Sequence, residues 1–324
     1  MPILSIRHVT TYRYNKPVAF GEHRMMLRPR DDDDQKVIEA ELEITPSPRQ
    51  LGWTRDSFGN HVATAHFGGR ARELRFVSSI RLDHAPRRFR ATAIKNLARA
   101  YPFAYAPEDW PGLERFIQPL SPPHPEIDLW SAAFFRKDGS ADTYQLLTDM
   151  TRTIRRTFKH VARHEKGIQA PAWTLKVRSG SCRDLAVLMI AALRARGIAA
   201  RFVSGYLHLA DDDDESATGG NTHAWVQVYM PGPGWVDFDP SGGIVGNKNL
   251  IRVAVADHPR EVIPLQGTWF GTAADHPTMK VAVKVITAPA GGAWDCGDVG
   301  MMNRRAEDGN AEAFLRRATG RSNG

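Results

Sequence analysis

From Leu185 to Leu193 the chain carries nine consecutive apolar residues, bounded by Asp184 and Arg194. Leu185, Leu188, Met189, Ala192 and Leu193 recur at helical spacing, and Ala186, Val187, Ile190 and Ala191 fill the opposite side. A helix that is apolar all round has to be buried, so the rest of the chain must be arranged about it. Gly197 supplies a stop at its far end. Ser179-Gly180-Ser181 precedes it with turn and N-cap chemistry. The helix therefore begins at Cys182-Arg183-Asp184. A cysteine in a first turn sits where the helix dipole and unpaired N–H groups favour an anion, and Asp184 suits the same field. The thiolate is the reactive form of cysteine. A histidine alongside would complete an ion pair, and a carboxylate would fix that histidine's tautomer.

Two later segments supply both partners. Residues 222–230 alternate, with His223, Trp225, Gln227 and Tyr229 on one face and Ala224, Val226, Val228 and Met230 on the other. Residues 235–239 alternate as well, with Trp235, Asp237 and Asp239 opposed to Val236 and Phe238. Pro231-Gly232-Pro233-Gly234 reads as the turn between two strands. Directly opposed residues share a face, so parity decides the pairing. If Met230 faced Trp235, His223 and Asp239 would point to opposite faces. An odd-numbered loop, closing Met230 on Gly234, places His223, Trp225, Trp235, Asp237 and Asp239 together. We therefore expect an odd loop or a bulge, with Cys182, His223 and Asp239 as nucleophile, base and orienter. Asp237 stands as the alternative for the third role.

These motifs, in this order, resemble the bacterial transglutaminase-like superfamily: Ser181-Cys182-Arg183-Asp184-Leu185, Arg196 to Tyr206, His223 to Tyr229, and Gly234 to Ser241. The resemblance implies an α+β fold, with a papain-like core in which a central Cys-bearing helix packs on an antiparallel sheet. It also implies a Cys-His-Asp triad, carried onto Cys182, His223 and Asp239. The amino-terminal motifs Arg7 to Tyr14, Pro17-Val18, His23, Leu27 to Arg30 and Asp56 to Asn60 resemble the β-rich domain that precedes this core in one bacterial branch.

Strand patterns at 3–14, 37–45, 61–68 and 73–83, separated by Gly, Pro and Asn turns, predict a β-sandwich-like domain over residues 1–85. His8, His23, His61 and His66 fall within it at irregular spacing and without a cysteine, and are read as ordinary histidines rather than a zinc site. Residues 86–140 form a Pro-rich connector with short helices expected near 92–100, 110–117 and 128–136. Its aromatic residues, Trp110, Phe116, Trp130, Phe134 and Phe135, call for burial. Residues 141–290 make the core. It opens on an amphipathic helix at 141–160, in which Leu147, Met150, Ile154 and Phe158 face inward. A loop at 165–178, carrying Trp173, leads to Cys182. The acidic run 211–215 lacks the ligand pattern of a calcium loop and reads as a solvated segment. Residues 291–324 form a tail expected to be poorly ordered, with a short helix near 311–318.

With 324 residues and 42% hydrophobic content the chain can build a full core. Two cysteines make no disulfide framework, and a bridge from Cys182 to Cys296 would disable the nucleophile. No apolar stretch is long enough to span a membrane, and residues 1–20 lack a signal-peptide core. A cytoplasmic location follows as the expectation. The net charge is +7, with arginines spread rather than clustered and no nucleic-acid motif. The expected partner is a protein or peptide substrate, with no nucleic acid, membrane, metal or cofactor. The reaction expected is attack of Cys182 on a peptide or amide carbonyl to give a thioester, resolved by water in a peptidase or amidase. The alternatives are resolution by an amine in a cross-linking transglutaminase, and a binding module without turnover. Trp225, Trp235 and Trp173 are the candidate substrate-lining residues.

Overall fold

The structure, a computed structural model, describes residues 2–86, 89–120, 122, 124–163, 165, 167–209, 219–275, 277–288 and 313–317. The acidic run 211–215 and Cys296 lie outside the described residues. The chain begins with β1 (Ile3–Met25), β2 (Gln35–Thr45), β3 (Gln50–Arg55), β4 (His61–His66) and β5 (Arg70–His84). β1 is the spine of this sheet. Its first half pairs with β5, which pairs in turn with β2. Its second half pairs with β4, and β4 with β3. The register breaks between Arg13 and Val18, and the sheet closes over a core that includes Tyr12, Tyr14, Val18, Phe20, Leu74 and Phe76. β3 escapes a reading by pattern because its large apolar side chains, Leu51 and Trp53, are exposed.

The connector holds β6 (Ala100–Tyr101), α1 (Trp110–Ile117) and α2 (Pro125–Ala132). The helix expected at 92–100 is two separate 3₁₀ turns, Ala91–Ala93 and Asn96–Ala98. α2 starts three residues earlier than its apolar pattern suggests, because Pro125 suits the first helical turn. Phe116 is buried, and Trp130, Phe134 and Phe135 pack against the main core, but Trp110 is exposed.

The core then runs through β7 (Ala141–Asp142), α3 (Thr143–Thr157), β8 (Lys159–His160), α4 (Pro171–Val177), β9 (Ser179–Gly180), α5 (Cys182–Arg194), β10 (Ala200–Leu209), β11 (Gly219–Met230), β12 (Gly234–Asp239), β13 (Ile244–Val245) and β14 (Leu250–Ala256). Its antiparallel sheet has the order β13-β12-β11-β10-β14. α5 packs on one face of it. Leu185, Leu188, Met189, Ile190 and Leu193 are each at most 1% exposed and share a core with Ala224, Val226, Val228 and Phe238. Each such side chain contributes about 1.5–3 kcal/mol by leaving water. The structure thus has the α+β architecture expected.

β15 (Leu265–Phe270) and β16 (Thr278–Ala288) return to the first sheet and pair with β1. β17 (Ala313–Arg317) lies parallel to β15, so this stretch is extended where its composition reads as a helix. Among the described residues no helix is long and apolar enough to cross a membrane.

Candidate active site

The start of α5 is held by an unusually complete set of hydrogen bonds. Ser181 is the N-cap: its hydroxyl accepts from the Asp184 N–H at 3.5 Å, and its own N–H donates to Asp184 Oδ2 at 2.8 Å. The hydroxyl also donates to that oxygen at 2.7 Å. Asp184 is fully buried and further accepts from Arg163 Nε at 2.6 Å and from the Gln169 N–H at 2.7 Å. Its carboxylate is therefore committed to fixing the helix start. Gly180 fits because a Cβ there would stand 2.8 Å from the Asp184 Cβ.

Cys182 follows as the first helical residue, with no exposed surface. The parallel pairing of β8 with β9 sets His160 opposite Gly180, and the Val161 N–H donates to the Gly180 carbonyl at 3.0 Å. His160 and His223 both hydrogen-bond the Cys182 thiol. His223 stands on β11 opposite Gly205 of β10. A Cβ at Gly205 would lie 2.1 Å from the Ile251 carbonyl oxygen and 2.6 Å from the Trp225 ring, so only glycine lets that indole lie flat there. Trp225 in turn stacks on His223, with ring centroids 6.1 Å apart at 26°.

Asp239 completes the arrangement. Its Oδ2 lies 2.9 Å from His223 Nε2, which leaves Nδ1 for the thiol. Its Oδ1 accepts from the Ser241 N–H at 2.8 Å and the Ser241 hydroxyl at 2.7 Å. The pairing is the odd one that parity requires: Met230 opposes Gly234, Val228 opposes Val236, and Tyr229 opposes Trp235. Asp237 shares the face but is engaged elsewhere. It accepts from Trp225 Nε1 at 2.6 Å and from Arg252 Nη1 at 3.0 Å.

The electrostatics follow from these contacts. Burial pushes the Cys182 thiol up, but the hydrogen bonds from His160 and His223, with the charges of His223 and Arg183, bring it down to about 6. Burial pulls His223 down, yet Asp239 and then Cys182 carry it up to about 10. Burial raises the Asp239 carboxyl, while His223, Ser241 and the Gly242 N–H outweigh it and hold it below the usual carboxylate range. At neutral pH this is a thiolate–imidazolium pair backed by a carboxylate, a constellation suited to nucleophilic acyl transfer.

The three tryptophans fall in different places. Trp225 is fully buried and forms the wall behind His223. Trp235 packs edge-on against Phe116 at 5.1 Å and Tyr229 at 5.4 Å, at the other end of β12 from Asp239. Trp173 is 52% exposed and lies on α4, where the sequence suggests a loop. Sequence reasoning missed His160. It enters through a two-residue parallel bridge that leaves no periodic signal, and its only mark is its place directly after α3. It also missed Ser241, whose role as a donor to Asp239 is visible only in three dimensions. His8 is tied to Tyr206 and Thr10, each at 3.0 Å, and His23 lies among Phe20, Phe67 and Phe76. Among the described residues no group of three His, Cys, Asp or Glu side chains is placed to hold a metal.

Comparison with known proteins agrees with this architecture. Residues 4–83 match the bacterial transglutaminase-like N-terminal region, and residues 135–240 match the transglutaminase-like superfamily. An uncharacterized protein of Mycobacterium tuberculosis is 28% identical over 296 residues, covering 87% of this chain and 91% of its own length. A protein-glutamine gamma-glutamyltransferase of Pseudomonas aeruginosa is 39% identical over 72 residues, 20% of this chain and 10% of that protein. Among solved structures, a candidate cysteine protease from Cytophaga hutchinsonii superposes with a TM-score of 0.68 at 18% identity, covering 89% of this chain and 92% of that one. That likeness is one of fold.

Proposed function

The chain belongs to the transglutaminase-like superfamily, and from that premise we propose that it is a cysteine-dependent enzyme that opens peptide or amide bonds through a thioester on Cys182. The observation that carries this reading is the buried thiol at the start of α5, hydrogen-bonded to a histidine whose other nitrogen faces Asp239 at 2.9 Å. The Cys182 thiolate attacks the carbonyl carbon, and the carbonyl electron pair moves to oxygen. Backbone N–H groups at the start of α5 and the ring of His160 are the candidate donors to that oxygen. As the tetrahedral intermediate collapses, the C–N bond breaks and the His223 imidazolium protonates the departing amine. Neutral His223 then takes a proton from water. The hydroxide attacks the thioester carbonyl, releases the acid and restores the thiolate.

Hydrolysis is the simpler second half, because it needs only access for water. Transfer of a glutamine acyl group to an amine is the second reading, and the complete burial of Cys182 favours it. A transferase has to shield its thioester from water at about 55 M, and a closed site does so.

The test is peptide mass spectrometry after incubation with a casein-like protein, with and without a primary amine, comparing the wild type with Cys182→Ala. Cleaved or deamidated products lost in the variant support the hydrolase. Amine-labelled glutamines lost in the variant support the transferase. Products unchanged in Cys182→Ala would overturn both.

A further inference from the structure

The face of the core sheet turned away from α5 closes one side of a cavity of about 370 Å³. Arg201, Gln227, Trp235 and Asp237 line that side. The Asp32-Asp33-Asp34 turn and the Phe89–Ala93 stretch line the others. Cys182, His223 and Asp239 are not among its walls. The volume falls in the range that holds small molecules.

Three arginines line this cavity, Arg90, Arg201 and Arg252, and the surroundings of the two on the core sheet differ. Arg252 donates to Asp237 at 3.0 Å, to Asp32 at 3.4 Å and to Asp34, so its charge is answered three times. Arg201 lies 4.0 Å over the Trp235 ring, and its Nε and Nη2 both donate to one neutral acceptor, Gln227 Oε1, at 2.9 and 2.7 Å. Among the described residues no carboxylate is hydrogen-bonded to it. Burial, with repulsion from Arg30 and Arg252, outweighs the attraction of Asp237 and Asp32 and pulls its pKa down to about 9, so it is still a cation at neutral pH. A cation with no carboxylate bonded to it thus stands on one wall, and the acidic Asp32-Asp33-Asp34 turn, part of whose charge is taken by Arg252, stands on another. An aromatic surface, Trp235 with Phe89, lies in the same lining. A half-buried charge with no carboxylate bonded to it favours an incoming counter-ion.

We propose that this cavity is a second binding site, separate from the thiol, for a small zwitterion of the amino-acid or dipeptide class, its carboxylate on Arg201 and its ammonium toward the acidic turn of residues 32–34. The inference does not rest on the chemistry of Cys182.

Isothermal titration of the full-length Cys182→Ala protein tests it, since that variant cannot turn a peptide over by the proposed route. The probes are glycine, glycylglycine, their carboxyl-terminal amides and N-acetylglycylglycine. The expected result is saturable binding of at least one zwitterion, with the matching amide and the acetylated peptide at least tenfold weaker. Tighter binding of glycine assigns the amino acid, and of glycylglycine the dipeptide. Gln227→Glu, which sets an internal carboxylate against Arg201 without lengthening the side chain, should weaken binding at least tenfold while the protein keeps its circular dichroism. No heat from either zwitterion, equal binding of the amides, or undiminished binding in Gln227→Glu would overturn the site. Each of these results leaves the activity test on Cys182 unaffected.

Discussion

His223 Nε2 stands 2.9 Å from Asp239 Oδ2, and the other oxygen of Asp239 takes both the N–H and the hydroxyl of Ser241. The carboxylate is thus fixed from one side and fixes the imidazole from the other. Asp239→Ala removes the principal group that raises His223 and frees the ring to turn. We expect turnover to fall by roughly 10²–10⁴-fold, in line with the loss of an orienting group in other triads. Asp239→Asn keeps an acceptor for the ring and should retain more activity. Because it lacks the charge, it should also move the alkaline limb of the activity profile downward. Steady-state kinetics across pH for the two variants would show this ordering, and equal loss in both would contradict the orienting role.

The Cys182 thiol is lowered to about 6 and His223 is raised to about 10, so the two limits of the ion pair have opposite signs. The thiolate is present above about pH 6 and is lost as pH falls through that value. The imidazolium is present below about pH 10 and is lost as pH rises through it. Alkylation of Cys182 by iodoacetamide should therefore rise through a midpoint near pH 6 and then level off. In His223→Ala the midpoint should climb toward the range of an ordinary cysteine, about 8.5. A wild-type midpoint in that ordinary range would rule out the ion pair.

His160 is exposed, yet it hydrogen-bonds a thiol that has no exposed surface. Its hydrogen bond is one of the contacts that lower the thiol. His160→Phe keeps a ring of similar size and removes the hydrogen bond. The alkylation midpoint should move upward and the catalytic constant should fall about 10²-fold or more, as for loss of one donor in an oxyanion site. His160→Gln, which keeps a donor, should recover part of both. A purely steric cover would give the opposite pattern, with His160→Phe near wild type.

Much of this site was legible before any coordinates, because it rests on local patterns. The apolar run 185–193 fixes a buried helix, Ser181 fixes its start, and alternation on both sides of Pro231–Gly234 fixes which side chains share a face. Parity calls for an odd loop or a bulge, and Met230 does oppose Gly234. What stayed hidden depends on contacts between distant segments. His160 reaches Cys182 through a parallel bridge of two residues. β15 and β16 leave the core to pair with β1, although their alternation is no different from that of core strands. Trp225 and Trp235 share a face in the sequence pattern, but one packs behind His223 and the other against Phe116, a difference set by the elements laid over the sheet.

Asp237 gives the sharpest separation between a structural and a reactive carboxylate, since it lies on the same face as Asp239 only two residues away. Its oxygens bind Trp225 Nε1 and Arg252 Nη1, both buried. Asp237→Ala strips Arg252 of one buried partner and leaves the indole N–H without an acceptor. Removing one member of a buried charge network costs about 3–5 kcal/mol. Asp32 and Asp34 remain on Arg252 and should hold the loss toward the lower figure. Urea unfolding should therefore show a large fall in stability. The alkylation midpoint of Cys182, measured below the transition, should stay near that of the wild type, because the contacts of His223 with Asp239 and the thiol are untouched. If the midpoint shifted as far as in Asp239→Ala, the orienting role would belong to Asp237 as well.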